Sequence, residues 1–103
     1  MINLSNYHLS QLNVQIIKDY LKIDKSYIED DMLLDTILKV SLEYILRYLE
    51  VEIEDIDFIS VELNIACIYL VSYCYVHKST HINSKDVEAT LIAILSKYKT
   101  INL

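Results

Sequence analysis

The sequence predicts an all-α fold, a small bundle of four helices with a central apolar third helix. The 103 residues contain neither glycine nor proline, so tight hairpin turns and the usual breaks between the strands of a sheet are missing. Hydrophobic residues make up 53% of the chain, which suits a packed core and excludes intrinsic disorder. Apolar side chains recur at helical spacing in four segments, and the length of residues 1–103 is that of a single domain.

The first two predicted helices lie in the first half of the chain. Residues 12–22 carry apolar side chains at helical spacing, and Ser10 or Asn13 could cap their start. Ser26 and Glu29 match the capping box, which predicts that a second helix begins there. The predicted buried stripe of this second helix consists of Leu34, Ile37, Leu38, Ser41, Ile45, Tyr48 and Leu49.

The second helix is predicted to end at about Glu50, before a connector and the central helix. Residues 51–57 alternate apolar and acidic side chains, which favours an extended connector or one short edge strand. Asp57 or Ser60 could cap the third helix. Its core, residues 65–76, is apolar almost all round, yet its 12 residues are too few to span a bilayer. We therefore expect a central helix that the other helices surround.

The fourth predicted helix follows a polar break at residues 78–83. Ser84 could cap its start. Its apolar face is predicted to contain Val87, Leu91, Ile94, Leu95 and Tyr98.

The charge of the chain excludes several classes of partner. The formal net charge is −6, and 12 of the 15 acidic residues precede residue 58. Because an acidic chain without a stripe of basic residues repels phosphate, we expect no affinity for DNA or for anionic lipid. The first residues lack the basic flank and apolar run of a signal peptide, so export is not expected.

Candidate metal and catalytic residues are present but poorly arranged. Cys67, Cys74, His77 and His81 are possible zinc ligands. On one helix, however, the first and last would lie about 21 Å apart, and one ion cannot bridge them. The acidic clusters at residues 29–35 and 52–57 suit a helix start and a solvated connector. The sequence thus predicts no metal, no cofactor and no enzymatic activity, and it predicts two reduced, buried thiols.

Four motifs in order carry a resemblance to a known family. Residues 17–24, the acidic residues 29–31 with the following leucines, residues 41–49 and residues 66–78 resemble the head-tail connector (adaptor) family of tailed bacteriophages, also described as DNA-packaging proteins. Residues 95–99 are similar to the family's closing Tyr-Arg, with Lys99 in place of the arginine. The resemblance covers residues 14–99. The glycine and proline that often flank the family's connector are absent.

The resemblance implies a structural virion protein at the head-tail interface, assembled in the host cytoplasm. Such a subunit would form a ring under the portal protein, extend the DNA channel without specific DNA binding, and receive a stopper or tail-completion protein. The contact candidates are basic, aromatic or apolar residues near the predicted helix ends and in the final segment 97–103, which we expect to face the capsid. They are Arg47, Tyr48, Tyr75, Lys78, Lys97, Tyr98, Lys99, Ile101 and Leu103.

Two other functions fit the same composition. An intracellular helical interaction module, such as a small regulator or an antitoxin-like partner, would have a similar balance of apolar and charged residues. A small metal-dependent enzyme would have to use the two late histidines or an acidic cluster.

Overall fold

The structure of the protein is a computed structural model that describes residues 4–78 and 85–100. For residues 86 and 97–100 it describes the backbone only. The described part contains four α-helices and no strand, which confirms the predicted all-α bundle. The helices are α1 (Val14–Tyr20), α2 (Asp31–Leu49), α3 (Val61–Val76) and α4 (Lys85–Thr100).

Helix α3 is the centre of the bundle. It packs against α2, against α4 and against the short 3₁₀ turn Leu4–Asn6. Half of its 16 residues are buried, and seven of these eight are apolar. The seven side chains lie on several sides of the helix axis, because α3 has neighbours on several sides. They are Leu63, Ala66, Cys67, Ile68, Leu70, Val71 and Cys74.

Helices α2 and α4 each bury one stripe. The predicted stripe of α2 is buried except for Tyr48, which is half-buried. On α4, Val87, Leu91 and Leu95 are buried and Ile94 is partly buried against the core. The Tyr98 side chain and the predicted cap Ser84 lie outside the described residues.

Helix α1 is shorter than the predicted residues 12–22. Asn13 is its cap, and the Asn13 side-chain oxygen accepts a hydrogen bond of 3.0 Å from the Ile16 amide. The helix begins after Asn13 because Leu12 is extended and buried. At the other end, Lys22 adopts a left-handed conformation with φ of 60°, which ends the helix at Tyr20.

The predicted capping box at Ser26 is wrong. Helix α2 begins at Asp31, and no side chain caps it at Asp30. The Ser26 amide and hydroxyl both donate to Asp24 Oδ1 at 2.9 Å. Because the Ser26 hydroxyl is bonded in this short-range turn, it does not cap a helix. Ser and Asp side chains commonly form such local hydrogen bonds in place of helical ones.

Two serine substitutions test this correction. The Ser60 hydroxyl accepts a 3.3 Å hydrogen bond from the Leu63 amide and caps the central helix α3, as predicted. We expect Ser60→Ala to lower the free energy of unfolding by about 1 kcal/mol, the usual value of a cap. Ser26→Ala affects an exposed turn, and we expect a loss below about 0.5 kcal/mol. Denaturant midpoints at unchanged slope measure both, and equal losses would contradict the assignment.

The connector between α2 and α3 is not a strand. Residues Ile53–Asp55 form a 3₁₀ turn, in which Asp55 Oδ2 accepts a 2.9 Å hydrogen bond from the Glu52 amide. The turn leads to Ile56, which is buried in the core. The predicted edge strand fails because the Asp55 carboxylate accepts from the backbone of its own turn and the described residues include no strand with which the connector could pair.

The N-terminal segment is held by the central helix. Asn64 on α3 is fully buried, and its side-chain amide donates to the Leu4 and Tyr7 carbonyls at 2.7 Å each. His8 Nε2 lies 2.6 Å from the Ile56 carbonyl oxygen and ties the same segment to the connector. Residues 4–12 therefore form a fixed layer on the bundle.

A buried lysine holds the loop between α1 and α2. The Lys18 side chain is fully buried, and its ammonium donates to the Lys25 carbonyl at 3.2 Å, the Tyr27 carbonyl at 2.6 Å and Asp31 Oδ1 at 2.9 Å. Three acceptors match the three donors of an ammonium group. The loop is thereby closed around one side chain.

Candidate functional site

Asp30 contacts three side chains, one from its own loop and two from the distant end of α3. Asp30 Oδ2 accepts hydrogen bonds from the Tyr75 hydroxyl at 2.6 Å, from Lys78 Nζ at 3.0 Å and, more weakly, from the Tyr27 hydroxyl at 3.5 Å. The Lys78 ammonium also lies 3.6 Å from the centre of the Tyr75 ring, which is cation–π geometry. We call these four residues the Asp30 cluster. It joins the start of α2 to the end of α3.

The local fold explains why these groups meet. The buried ammonium of Lys18 fixes the loop that ends at Asp30. Lys78 has φ of 50°, and this left-handed residue ends α3 and turns its own side chain toward Asp30. The Asp30 side chain is 22% exposed and that of Lys78 is 55% exposed, so the pair is open to water on one side.

The cluster stabilises the charged form of Asp30. The hydrogen bond from Tyr75, followed by that from Lys78, lowers the pKa of Asp30 from its usual value of 3.8. The bond to Asp30 raises the pKa of the Tyr75 hydroxyl and that of the Lys78 ammonium. The negative charge of Asp30 also raises the pKa of Tyr27. All four residues thus keep their ordinary protonation states at neutral pH, which suits a structural junction and not proton transfer.

Acid titration tests the cluster. A carboxyl whose pKa is lowered in the folded protein stabilises it above pH 3.8, and that stability is lost as the pH falls through the folded pKa. We expect Tyr75→Phe to raise the pKa of Asp30 toward 3.8, measured from the Asp30 carboxyl carbon by NMR. Tyr69→Phe, on the same helix outside the cluster, serves as the control. An unchanged Asp30 titration in Tyr75→Phe would contradict the hydrogen bond.

Two open grooves flank the second half of α2. Between them stands an exposed ion pair, in which the Arg47 guanidinium contacts Glu43 Oε1 at 2.7 Å. The first groove has a volume of about 780 Å³ and extends to the connector, and the second, about 540 Å³, includes Tyr44 and Tyr48. The apolar side chains of the first groove are Leu42, Leu46, Val51 and Ile53. We call this first groove the α2–connector groove.

Among the residues that the structure describes, one largely apolar side of the central helix is only partly covered, and we call it the α3 face. It comprises Val61, Ile65, Tyr69, Ser72 and Val76, and their spacing places them along one side of the helix. Val76 is 73% exposed, Ile65 41% and Val61 37%. The face is uncharged over about 22 Å of helix length. The α3 face and the grooves beside α2 lie on different helices, and they share no residue.

The candidate metal ligands do not converge where they are described. Cys67 and Cys74 are free, buried thiols on α3, and desolvation raises the pKa of Cys67 to about 12 and also raises that of Cys74. His77 stacks on Tyr73 with ring centres 4.3 Å apart. His81 lies outside the described residues. Within the described ranges no three His, Cys, Asp or Glu residues are placed to hold a metal ion, and the absence of a cofactor stays a prediction.

The predicted contact residues fall into separate places. Arg47 and Tyr48 lie on α2 beside the grooves, and Tyr75 and Lys78 belong to the Asp30 cluster. The side chains of Lys97, Tyr98 and Lys99, together with Ile101 and Leu103, lie outside the described residues.

Three residues with central positions were not predicted from the sequence. Asp30 was expected only as one of several acids at a helix start, and neither Lys18 nor Asn64 was among the predicted residues. The sequence contained one sign that Lys18 is buried, because this lysine directly follows the core residues Ile16 and Ile17. The sequence contains no comparable sign for Asn64, whose acceptors lie 57 and 60 residues away.

None of the helices in the described part of the chain is long and apolar enough to cross a membrane. Comparisons of the chain with known protein families, with curated proteins and with solved structures find no match.

Proposed function

We propose that the chain is a structural subunit of a head-tail connector ring in a tailed bacteriophage. In this role it assembles under the portal protein, extends the DNA channel and receives the stopper or tail-completion protein. The proposal starts from the resemblance of residues 14–99 to that family, and the geometry adds support. The observation that best supports it is the pair of exposed surfaces on this small domain. The α3 face is uncharged, whereas the α2–connector groove is lined by charged as well as apolar residues.

Two chemically different surfaces on one small domain favour head-to-tail association. A two-fold dimer pairs one patch with itself, whereas a ring pairs one patch with a second, different patch. An apolar strip as long as the α3 face is costly to leave in water, and contact with a neighbouring subunit would remove that cost. The domain is small, so subunit contacts would add to a thin margin of stability.

The charge of the protein supports a passive channel. DNA that slides through a ring must not be held by its phosphates, and affinity for phosphate requires clustered lysines or arginines. The net charge is −6. In the described ranges, four of the cations pair with acids of the same domain, namely Lys18, Lys39, Arg47 and Lys78.

The mass of the assembled protein tests this function. Sedimentation of the chain over a range of concentrations, alone and with the portal protein of the same phage, should reveal a ring-sized species. Ile65→Asn, in the middle of the α3 face, should weaken each subunit contact about ten-fold, which corresponds to about 1.4 kcal/mol, and the ring fraction should fall by at least that factor.

Ile28→Asn is the matched control, because Ile28 is also an exposed isoleucine but lies in the loop before α2. It should leave the ring fraction unchanged. A chain that stays monomeric or dimeric with and without the portal protein would overturn the proposal. A stable dimer would instead support the interaction-module alternative.

A further inference from the structure

The α2–connector groove combines an apolar floor with unneutralised acids. Lys39 is paired with Asp35 at 2.9 Å, and Arg47 is paired with Glu43. Glu50 and Glu52, which also line the groove, have no ion-pair partner among the residues that the structure describes. The groove therefore fits an occupant that carries positive charge next to apolar side chains.

One segment of the chain has this chemistry. Residues 97–103 read Lys-Tyr-Lys-Thr-Ile-Asn-Leu, with two cations, no acid and two aliphatic side chains. The rest of the chain carries all 15 acids and seven of the nine bases. A basic and apolar segment of an acidic protein is electrostatically complementary to the acidic surface of another copy.

The lengths of the groove and the segment are also compatible. The lining residues of α2 extend from Lys39 to Glu50, which corresponds to about 16 Å of helix. Residues 97–100 are the last turn of α4 and rise about 6 Å, and the three residues after them add at most about 10 Å. The segment therefore matches the groove in length, with its two lysines on the last turn of α4 and its two aliphatic residues beyond that turn.

We propose that segment 97–103 of one subunit binds in the α2–connector groove of the next subunit. The lysines neutralise Glu50 and Glu52, and Ile101 and Leu103 cover the apolar floor. The contact is head-to-tail, so it can repeat around a ring. The inference rests on the proposed function, because the ring supplies the neighbouring copy. The sequence predicted that segment 97–103 faces the capsid. In this proposal the partner of the segment is instead the neighbouring subunit.

Disulfide trapping in the full chain tests the contact. The double variant Val51→Cys/Leu103→Cys places one new thiol in the groove and one in the segment. Cys67 and Cys74 are fully buried with raised thiol pKa values, so they should react slowly. With oxidised glutathione, we expect a ladder of disulfide-linked multimers, and peptide mapping should identify the 51–103 bond.

The matched control is Glu29→Cys/Leu103→Cys. Glu29 is exposed and lies two residues before α2, whose first residue Asp31 is about 22 Å along the helix from Leu46. We expect at least about ten-fold fewer multimers from this control, the ratio that a contact of about 1.4 kcal/mol produces. A disulfide confined to single chains would show that the segment fills its own groove, and equal yields in both variants would show random collision. Either result overturns the proposal.

A charge exchange provides a second measurement. Glu50→Lys with Glu52→Lys, added to the groove and segment cysteines, should reduce the ladder about ten-fold. Adding Lys97→Glu and Lys99→Glu should restore it, and failure to restore would contradict the charge complementarity. A ladder without any portal-bound ring would contradict the proposed function alone. A portal-bound ring without the ladder would contradict this contact alone.

Discussion

Replacing Lys18 by methionine should destabilise the protein by about 3 kcal/mol. Methionine keeps most of the apolar stem but removes the ammonium, so the Lys25 and Tyr27 carbonyls lose their donor and Asp31 loses its cation. Breaking a buried ion pair from one side typically costs about 3–5 kcal/mol. One third of the Asp31 side chain is exposed to water, which places the expected loss at the lower end of that range.

Lys25→Met is the control for this substitution. Lys25 lies in the same loop and is exposed, so its loss should change stability by less than about 0.5 kcal/mol. Denaturant midpoints compare the two variants. Amide exchange should show the loop from Lys22 to Asp30 opening far more often in Lys18→Met. Equal midpoints for the two variants would mean that the ammonium does not hold the loop.

Replacing Asn64 by alanine should cost about 2–3 kcal/mol. The Asn64 amide donates two hydrogen bonds of 2.7 Å, and its removal leaves the buried Leu4 carbonyl and the partly buried Tyr7 carbonyl without that donor. Each buried acceptor left unpaired costs about 1–3 kcal/mol. The Asn64 side-chain oxygen has no hydrogen-bond partner within the described residues, so its own loss offsets part of the effect.

The control on the same helix is Ser72→Ala, which changes a half-buried polar residue of the α3 face. We expect a change below about 0.5 kcal/mol for this variant. Limited proteolysis gives a readout specific to the anchor, because residues 4–12 should become cleavable in Asn64→Ala before the rest of the domain unfolds. If residues 4–12 stay as protected as in the unchanged chain, Asn64 is not their anchor.

The parts of the fold that depend on local pattern could be predicted from the sequence. The stripe of α2 and the all-round apolar surface of α3 follow from spacing, and the structure confirms them. For two helices the sequence left a choice of cap, Ser10 or Asn13 and Asp57 or Ser60, and in the structure the caps are Asn13 and Ser60. The start of α2 could not be predicted in this way. Asp24 and Glu29 both offer Ser26 a local partner, and sequence alone does not rank the two competing turns.

The candidate surfaces depend on long-range contacts and were harder to predict. Tyr75 and Lys78 meet Asp30 across 45 and 48 positions of the chain. The α2–connector groove exists because the connector makes a 3₁₀ turn at Ile53–Asp55 where the sequence predicted extended chain. Arg47 and Lys78 were nevertheless among the predicted contact residues, since helix ends with basic side chains are visible in the sequence.

In the part of the chain that the structure describes, Lys22, Glu50 and Lys78 adopt left-handed conformations, and they show how a chain without glycine turns at the end of a helix. Each of these side chains crowds its own backbone, at a cost of about 1–2 kcal/mol that glycine would avoid. A glycine would also widen the set of conformations open to the denatured chain, which costs about 0.4–1 kcal/mol at each position. The two effects oppose each other at every corner. The left-handed conformation lowers the free energy of unfolding, because it strains the folded backbone. The non-glycine residue raises the free energy of unfolding, because the unfolded chain gains less conformational entropy.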